Sequence, residues 1–311
     1  MKAVYLNKLA GYEELVFGEI PRPRPGRGEV LVQVHATAIT PTEFQWFPTF
    51  KAKDGNPRPF PIVQSHEFSG LVAAVGKEVI VLNIGDAVYG MNDWYANGAQ
   101  ARYCIAPATA VASKPRTLDH AQSAVVPISA LTAWQGLFDH ARLTAGQRVL
   151  IHGGAGGVGV FAVQLAHWRG AHVIATASAR NLAFVRELGA DEVIDYKTTR
   201  FEEVVRDLDV VFDVIGGETL ARSWNVLKPG GRVVTIAAQS EATTDERTRA
   251  AFFIVEPSPP QLAEVAQLLD AGKVRSFVEA VFPLARTREA YAHAVRGNLR
   301  GKVAIQVVGN D

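Results

Sequence analysis

The chain has 311 residues, 48% of them hydrophobic, enough to build more than one core. Its 32 basic and 31 acidic residues leave a formal charge of +1, which gives no electrostatic footprint for nucleic acid or an anionic membrane surface. One cysteine, Cys104, excludes an intrachain disulfide; with no apolar run near the ~20 residues of a membrane span and no signal-like apolar region behind Met1, the expected home is the cytoplasm.

Residues 1–120 read as a small β-rich domain. Short strands at 30–34, 68–75, 87–90, 101–106 and 110–113 are separated by turns near Pro25-Gly26, Gly76, Gly85 and Gly98. Arg22, Arg24 and Arg27 lie among Pro21, Pro23 and Pro25 and read as an extended surface connection. His35 falls on the polar side of an alternating strand, where solvation is expected.

From residue 121 to 256 the texture changes. An apolar helical stretch at 121–139 precedes strands at 149–152, 172–177, 192–195, 210–214 and 233–237, alternating with helices. That spacing predicts a doubly wound α/β fold with a parallel sheet and a ligand crevice at the carboxyl ends of its strands. Residues 241–250 are polar and read as a loop; 252–255 reads as one more strand. Because Phe252-Phe253-Ile254-Val255 is too apolar to sit unpaired at a sheet rim, a homodimer formed through that edge is expected. After Pro257-Ser258-Pro259-Pro260, the third segment, 257–311, carries a helix to Ala271 and strands ending at 302–308.

The most informative stretch is Arg148 to Ser178. An apolar strand enters His152-Gly153-Gly154-Ala155-Gly156-Gly157-Val158-Gly159, a helix follows in which Val158, Ala162, Leu165 and Ala166 share a face, and Gly170 stands at its end. Gly154, Gly156 and Gly159 fit the G-x-G-x-x-G template, whose glycines allow a tight turn, close approach to a pyrophosphate and close helix packing. The pyrophosphate would rest on the free N–H groups of the helix start.

A binder of NAD places an acidic residue about 20 residues further on, against the ribose hydroxyls. Here Thr176, Ser178 and Arg180 stand instead, and a hydroxyl with a guanidinium suits a 2′-phosphate. NADPH is the cofactor expected. The plainer alternative is that Ser178 only caps the next helix and Arg180 faces water.

Taken together, Ser65-His66-Glu67-Phe68-Ser69-Gly70, Gly85-Asp86-Ala87-Val88-Tyr89-Gly90, the glycine turn, Leu188-Gly189-Ala190 with Ile194-Asp195-Tyr196, and Leu227-Lys228-Pro229-Gly230-Gly231 resemble the medium-chain dehydrogenase/reductase superfamily. Within it the chain is similar to the zinc-free quinone oxidoreductase and enone reductase branch. The resemblance implies a GroES-like β-rich catalytic domain, completed by the tail from about 257, beside a Rossmann-type nucleotide domain. It implies NADP(H) bound by Gly154, Ala155, Gly156, Gly157, Val158 and Gly159, with Ser178, Arg180 and Tyr196 around the 2′-phosphate. Gly216, Ala237 and the segment Phe253, Ile254 and Val255 complete the implied cofactor site.

The family's Asn-Pro-x-Asp pattern beside the nicotinamide becomes Thr40-Pro41-Thr42-Glu43, and Thr132 matches a threonine near the same ring. Thr40, Glu43, Trp46 and Thr132 are the catalytic candidates. Trp46, Phe50, Trp94 and Tyr95 are candidates for an aromatic wall around a flat acceptor. Relatives with a catalytic zinc hold it through a first ligand at the Thr40 column, the histidine of the His66-Glu67 pair and a later residue near Pro127-Ile128-Ser129; one good ligand cannot make a site that needs three. His66 and Glu67 are expected as polar packing near the cleft, with His66 as a proton donor the alternative.

The function expected is transfer of hydride from NADPH to quinones or α,β-unsaturated carbonyl compounds without a metal. An aldehyde reductase, a zinc-dependent alcohol dehydrogenase and a non-catalytic NADPH-binding protein are the alternatives.

Overall fold

The apolar runs in the second half of the chain pair as parallel strands because both faces of their sheet are covered. In the computed structural model, which describes residues 1–308, five strands lie in the spatial order Glu192–Asp195, His172–Ala177, Arg148–Ile151, Leu208–Asp213 and Leu227–Thr235, all parallel. The chain starts at the middle strand, winds to one edge and then to the other. The reversal falls between Arg148–Ile151 and Leu208–Asp213, and their carboxyl ends frame the crevice.

The helix Gly157–Trp168 follows the glycine turn. It has no polar face: Gly159 through Ala166 are all buried, because the helix lies between the sheet and a second helix, Pro127–Trp134. Val158, expected on the buried face, is only half-buried. Gly170 does sit just past the end, at φ +82°, in the left-handed conformation that favours glycine.

The first third of the chain builds an antiparallel sheet from Glu29–Ala38, Glu67–Val75, Ala87–Met91 and Val111–Ser113, with Tyr103–Pro107 also pairing on Glu29–Ala38. Two late strands belong to the same sheet. Lys302–Gln306 pairs antiparallel with Glu29–Ala38, and Val278–Pro283 lies outside it, parallel. A small sheet of Val16–Glu19, Lys2–Leu6 and Ile62–Val63 covers one end. The largest core cluster runs without a break from Tyr89 and Met91 through the parallel sheet to Leu262 and Leu269 of the helix Pro259–Asp270. Tyr89 reinforces that continuity by donating its hydroxyl to the Leu262 carbonyl at 2.6 Å.

Four expectations about local structure are corrected. The helix expected at 121–139 is interrupted: His120–Ala124 ends, Pro127 opens a new helix, and the last part, Gln135–His140, widens into π-type turns. At the break the N–H of Ile128 donates to Glu67 Oε2 at 2.9 Å, a distant side chain doing the work of a helix cap.

Residues 241–250 are not all loop, since Asp245 accepts the N–H of Thr248 at 3.0 Å and starts the helix Glu246–Ala251. Residues 252–255 do not form a regular strand. Phe252 makes one parallel bridge to Thr235, then Phe253 and Val255 turn into the core, and Gln135 exchanges 3.0 and 2.8 Å hydrogen bonds with the backbone of Glu256 in place of a ladder. His35 is also not solvated: its half-buried ring lies 4.3 Å from that of His120, which hydrogen-bonds Ser69 at 2.8 Å.

Candidate active site

The glycine turn is shaped by backbone contacts. Gly153, at φ +69°, donates to Thr176 Oγ1 at 3.1 Å, and Gly154 donates to the Thr176 carbonyl at 2.9 Å, so the turn hangs on the neighbouring strand. A Cβ on Gly159 would stand 2.1 Å from the Gly153 carbonyl oxygen, which only glycine avoids. A Cβ on Gly156 would meet nothing closer than 3.5 Å; that side of the turn is open. The first helical bond runs from Val160 to Gly156, leaving the N–H groups of Gly157, Val158 and Gly159 without intrahelical acceptors. Open backbone and free donors at the start of a helix of 12 residues fit a pyrophosphate.

A cavity of about 520 Å³ continues from the turn along the carboxyl ends of the strands, within the range of small-ligand sites. Gly153, Ala155 and Gly156 line it at one end, and Ser178, Asn181 and Tyr196 at the other. Arg180 does not line it. Its exposed guanidinium donates to the Asn298 carbonyl, and Asn298 is a wall residue. Arg200 and Arg222, which the sequence reading passed over, line the wall and share Glu202, donating at 2.8 and 2.9 Å. These hydrogen bonds outweigh the effect of its own burial and hold the Glu202 carboxyl down at about 2.

Two buried polar residues shape the floor. His152 stands between Ser223 Oγ at 3.0 Å and Thr176 Oγ1 at 3.3 Å, and burial lowers its pKa to about 4, so the ring is neutral. Asp213 accepts from the N–H groups of Ile215 at 3.1 Å and Gly216 at 2.9 Å and from Thr235 Oγ1 at 2.7 Å. Burial pushes its pKa up against those bonds. They fix the turn at Gly216, φ +76°, where a Cβ would come within 2.6 Å of the Ala237 methyl. Gly216 and Ala237 are thus neighbours at the ends of adjacent strands. Of the segment assigned to the carboxamide, Phe253 stacks on His140 at 4.3 Å, Val255 is buried and Ile254 is 54% exposed.

The junction between the two units gathers the other candidates from four distant segments. Thr40 is half-buried at the end of Glu29–Ala38 and its hydroxyl accepts from Lys302 Nζ at 3.1 Å. Glu43 is enclosed rather than open to a ligand: its carboxylate accepts the Ser65 N–H at 2.8 Å and the hydroxyl of Tyr291, and burial raises its pKa to about 7. Thr132 is buried, with its hydroxyl committed to the Ile128 carbonyl at 2.6 Å. His66 Nδ1 lies 3.9 Å from Glu43, and burial lowers the His66 pKa to about 4. It is a neutral, enclosed ring.

Of the four aromatics proposed as a wall, Trp46 and Trp94 meet edge-on at 5.4 Å, and His66 stands 5.5 Å from Trp94. Phe50 packs instead against the core around Leu6 and Tyr291, and Tyr95 sits under Lys53. Among the described residues no group of three or more His, Cys, Asp and Glu is placed to hold a metal ion, and no helix is long and apolar enough to cross a membrane.

This geometry is that of a two-domain nicotinamide-dependent dehydrogenase or reductase. Residues 26–116 match the family described as alcohol dehydrogenase GroES-like domain, and residues 188–305 the family described as zinc-binding dehydrogenase. The chain is 34% identical to the 2-methylene-furan-3-one reductase of Solanum lycopersicum, over 90% of this chain and 72% of that one. It is 32% identical to a mitochondrial NAD(P)H oxidoreductase of Mus musculus, over 90% and 82%. The solved quinone oxidoreductase of Coxiella burnetii superposes with a TM-score of 0.90 at 29% identity, covering 99% of each chain. The chain belongs to the medium-chain dehydrogenase/reductase superfamily, with its Rossmann-type sheet and GroES-like domain.

Proposed function

We propose that this protein is an NADPH-dependent reductase of quinones or α,β-unsaturated carbonyl compounds that works without a metal ion. The observation that carries the reading is the pairing of an open glycine cradle with a junction whose hydrogen-bond donors are a hydroxyl and an ammonium, at Thr40 and Lys302, where the described residues place no three-ligand metal cluster. A nicotinamide cofactor bound there supplies a hydride. The chain's own part is to hold it and to receive negative charge on the acceptor. The helix N–H groups at 157–159 take the pyrophosphate. Ser178 and Tyr196, with Arg200 and Arg222 along the same wall, favour a 2′-phosphate, and the residue after the second strand is not the acidic one that would repel it.

A conjugated acceptor spreads the incoming charge onto an oxygen, and hydrogen-bond donors suffice to stabilise it. An unconjugated alkoxide gains far more from a metal. Trp46 and Trp94, which meet edge-on, supply apolar indole surface for such an acceptor. Oxidation of NADPH measured against quinones, enones, enals, saturated aldehydes and alcohols tests the reading: turnover with the first three groups is expected, and turnover confined to aldehydes or alcohols overturns it. Dialysis against a strong chelator is expected to leave that activity unchanged. A homodimer, expected from the apolar segment 252–255, is proposed with Ile254 as its exposed member; a monomeric mass by light scattering at micromolar concentration counts against it.

A further inference from the structure

Lysine is seldom buried without a partner, and Lys302 is only 8% exposed. It opens the strand Lys302–Gln306 where the tail touches the glycine turn: Gly301 donates to the Ala155 carbonyl at 3.0 Å, and a Cβ on Gly157 would stand 2.7 Å from Lys302 Cγ. The lysine stem therefore crosses the first residue of the glycine helix, and glycine at 157 makes room for it. At its end the ammonium donates to Glu67 Oε1 and to Thr40 Oγ1. Glu67 is itself anchored from the far side, where Oε2 accepts the N–H of Ile128.

An ammonium has three protons to donate and a hydroxyl has one. Thr40, having accepted from Lys302, still holds its own proton. Thr40 is also the half-buried member of the chain Glu67–Lys302–Thr40, whereas Glu67 and Lys302 are enclosed. The row runs from a fixed carboxylate, through a cation, to the hydroxyl of the one residue of the three that is not buried.

We propose that Thr40 hydrogen-bonds the acceptor's oxygen and protonates it, that Lys302 resupplies the proton through Thr40, and that Glu67 positions Lys302. This rests on the reductase reading given above. When an enone is reduced, the hydride brings two electrons to the β-carbon and forms a C–H bond there. The alkene π pair then joins the α-carbon to the carbonyl carbon, and the carbonyl π pair moves onto oxygen. That oxygen takes the Thr40 proton while Thr40 takes one from Lys302, leaving an enol and a neutral amine beside Glu67. A proton from water restores the ammonium, and the enol becomes the ketone in solution by moving its proton to the α-carbon.

The test uses the whole protein with NADPH, an enone and an electron-poor quinone. Thr40→Val keeps the shape of the side chain and removes the relay. Lys302→Met combined with Glu67→Gln removes the cation without stranding a carboxylate, and thermal melting reports whether it folds. Losing proton donation is expected to lower kcat for the enone by about 10²- to 10⁴-fold in both variants. The loss should be smaller for the quinone, whose reduced oxygen is less basic, and the NADPH Kd, read from tryptophan fluorescence, should hardly move. Thr40→Ser should restore most of the rate. Unchanged kcat in Thr40→Val, equal losses for both acceptors, or a weakened NADPH Kd with full kcat at saturation in the folded lysine variant would each overturn the proposal. A wild type that turns over no acceptor overturns the reductase reading as well; an active wild type with an indifferent Thr40 overturns the relay alone.

Discussion

The glycine turn and the domain junction solve the same problem, holding charge at a defined point, by opposite means. The turn is built within one stretch of chain from backbone donors, and side chains matter there chiefly by their absence, as at Gly159. The junction is built from side chains that meet across the whole length of the chain, as when Lys302 reaches Glu67 and Thr40. A backbone site is disrupted by adding atoms, a side-chain site by removing them.

The largest effect follows from adding a single methyl group to the turn. With a Cβ 2.1 Å from the Gly153 carbonyl, Gly159→Ala cannot be accommodated without moving backbone, and overpacking of this kind costs about 1–3 kcal/mol or more. Calorimetric titration is expected to show no NADPH binding, together with a lowered Tm. Wild-type affinity in Gly159→Ala would show that the turn does not need this close packing.

The junction answers to pH. Burial lifts Glu43 from 4.5 to about 7, so between those values the folded state binds the extra proton and its stability falls as pH rises. The two ends of that window differ by about 3 kcal/mol of unfolding free energy. His66 and His152, lowered to about 4 by burial, act with the opposite sign, adding stability as pH rises from about 4 to 6.5. Urea unfolding of wild type and Glu43→Gln at pH 5 and pH 8 separates the two. The wild type should lose stability relative to the variant on going to pH 8, and parallel curves would refute the raised carboxyl.

Arg180 bears on how far side chains assist the backbone site. Its guanidinium gives one N–H to the Asn298 carbonyl at the cavity wall, which anchors it there and leaves its other donors for a 2′-phosphate. A charged hydrogen bond contributes roughly 1.5–3 kcal/mol, and Arg180→Ala is expected to weaken NADPH by about 10- to 150-fold while leaving NADH nearly unchanged. If Arg200 and Arg222 carry the phosphate instead, competitive fluorescence titration will show the loss in Arg222→Ala and little change in Arg180→Ala. The smallest effect is predicted for Gly156→Ala. Its Cβ meets nothing closer than 3.5 Å, so the melting temperature should stay within about a degree or two, and any loss should appear in cofactor affinity alone.

The same contrast explains what could be read from the sequence. The turn was legible because strand, glycines and helix follow one another, and so was the parallel sheet, whose buried strands are uninterrupted apolar runs. Lys302 was legible only as the first residue of a terminal strand: its partners lie far away in the chain, and no spacing rule connects them. The break in the expected helix at 121–139 was written locally, in Pro127, which cannot continue a helix; only the Glu67 carboxylate that takes the N–H of Ile128 lies beyond the reach of a spacing rule. Glu43 was named as a catalytic candidate, but its enclosure by Tyr291 depends on the helix Thr287–Val295 near the other end of the chain. The strand expected at 252–255 had the right composition, but its pairing stops at Thr235, and the next residue, Glu256, is held instead by the amide of Gln135 from a separate helix.

The position of Lys302–Gln306 inside the antiparallel sheet, between Val278–Pro283 and Glu29–Ala38, also sets a schedule for synthesis. On the ribosome, Glu29–Ala38 emerges early and finds Glu67–Val75 and Tyr103–Pro107, but the backbone around Ala36–Ala38 waits for a strand made only after the whole nucleotide unit. The nucleotide unit has every strand of its own sheet by Thr235 and can fold while that gap is open. The nascent protein thus spends most of its synthesis with a bare apolar edge beside Thr40. Closing that gap is the longest-range pairing in the sheet, and the segment that closes it brings Lys302 to Thr40.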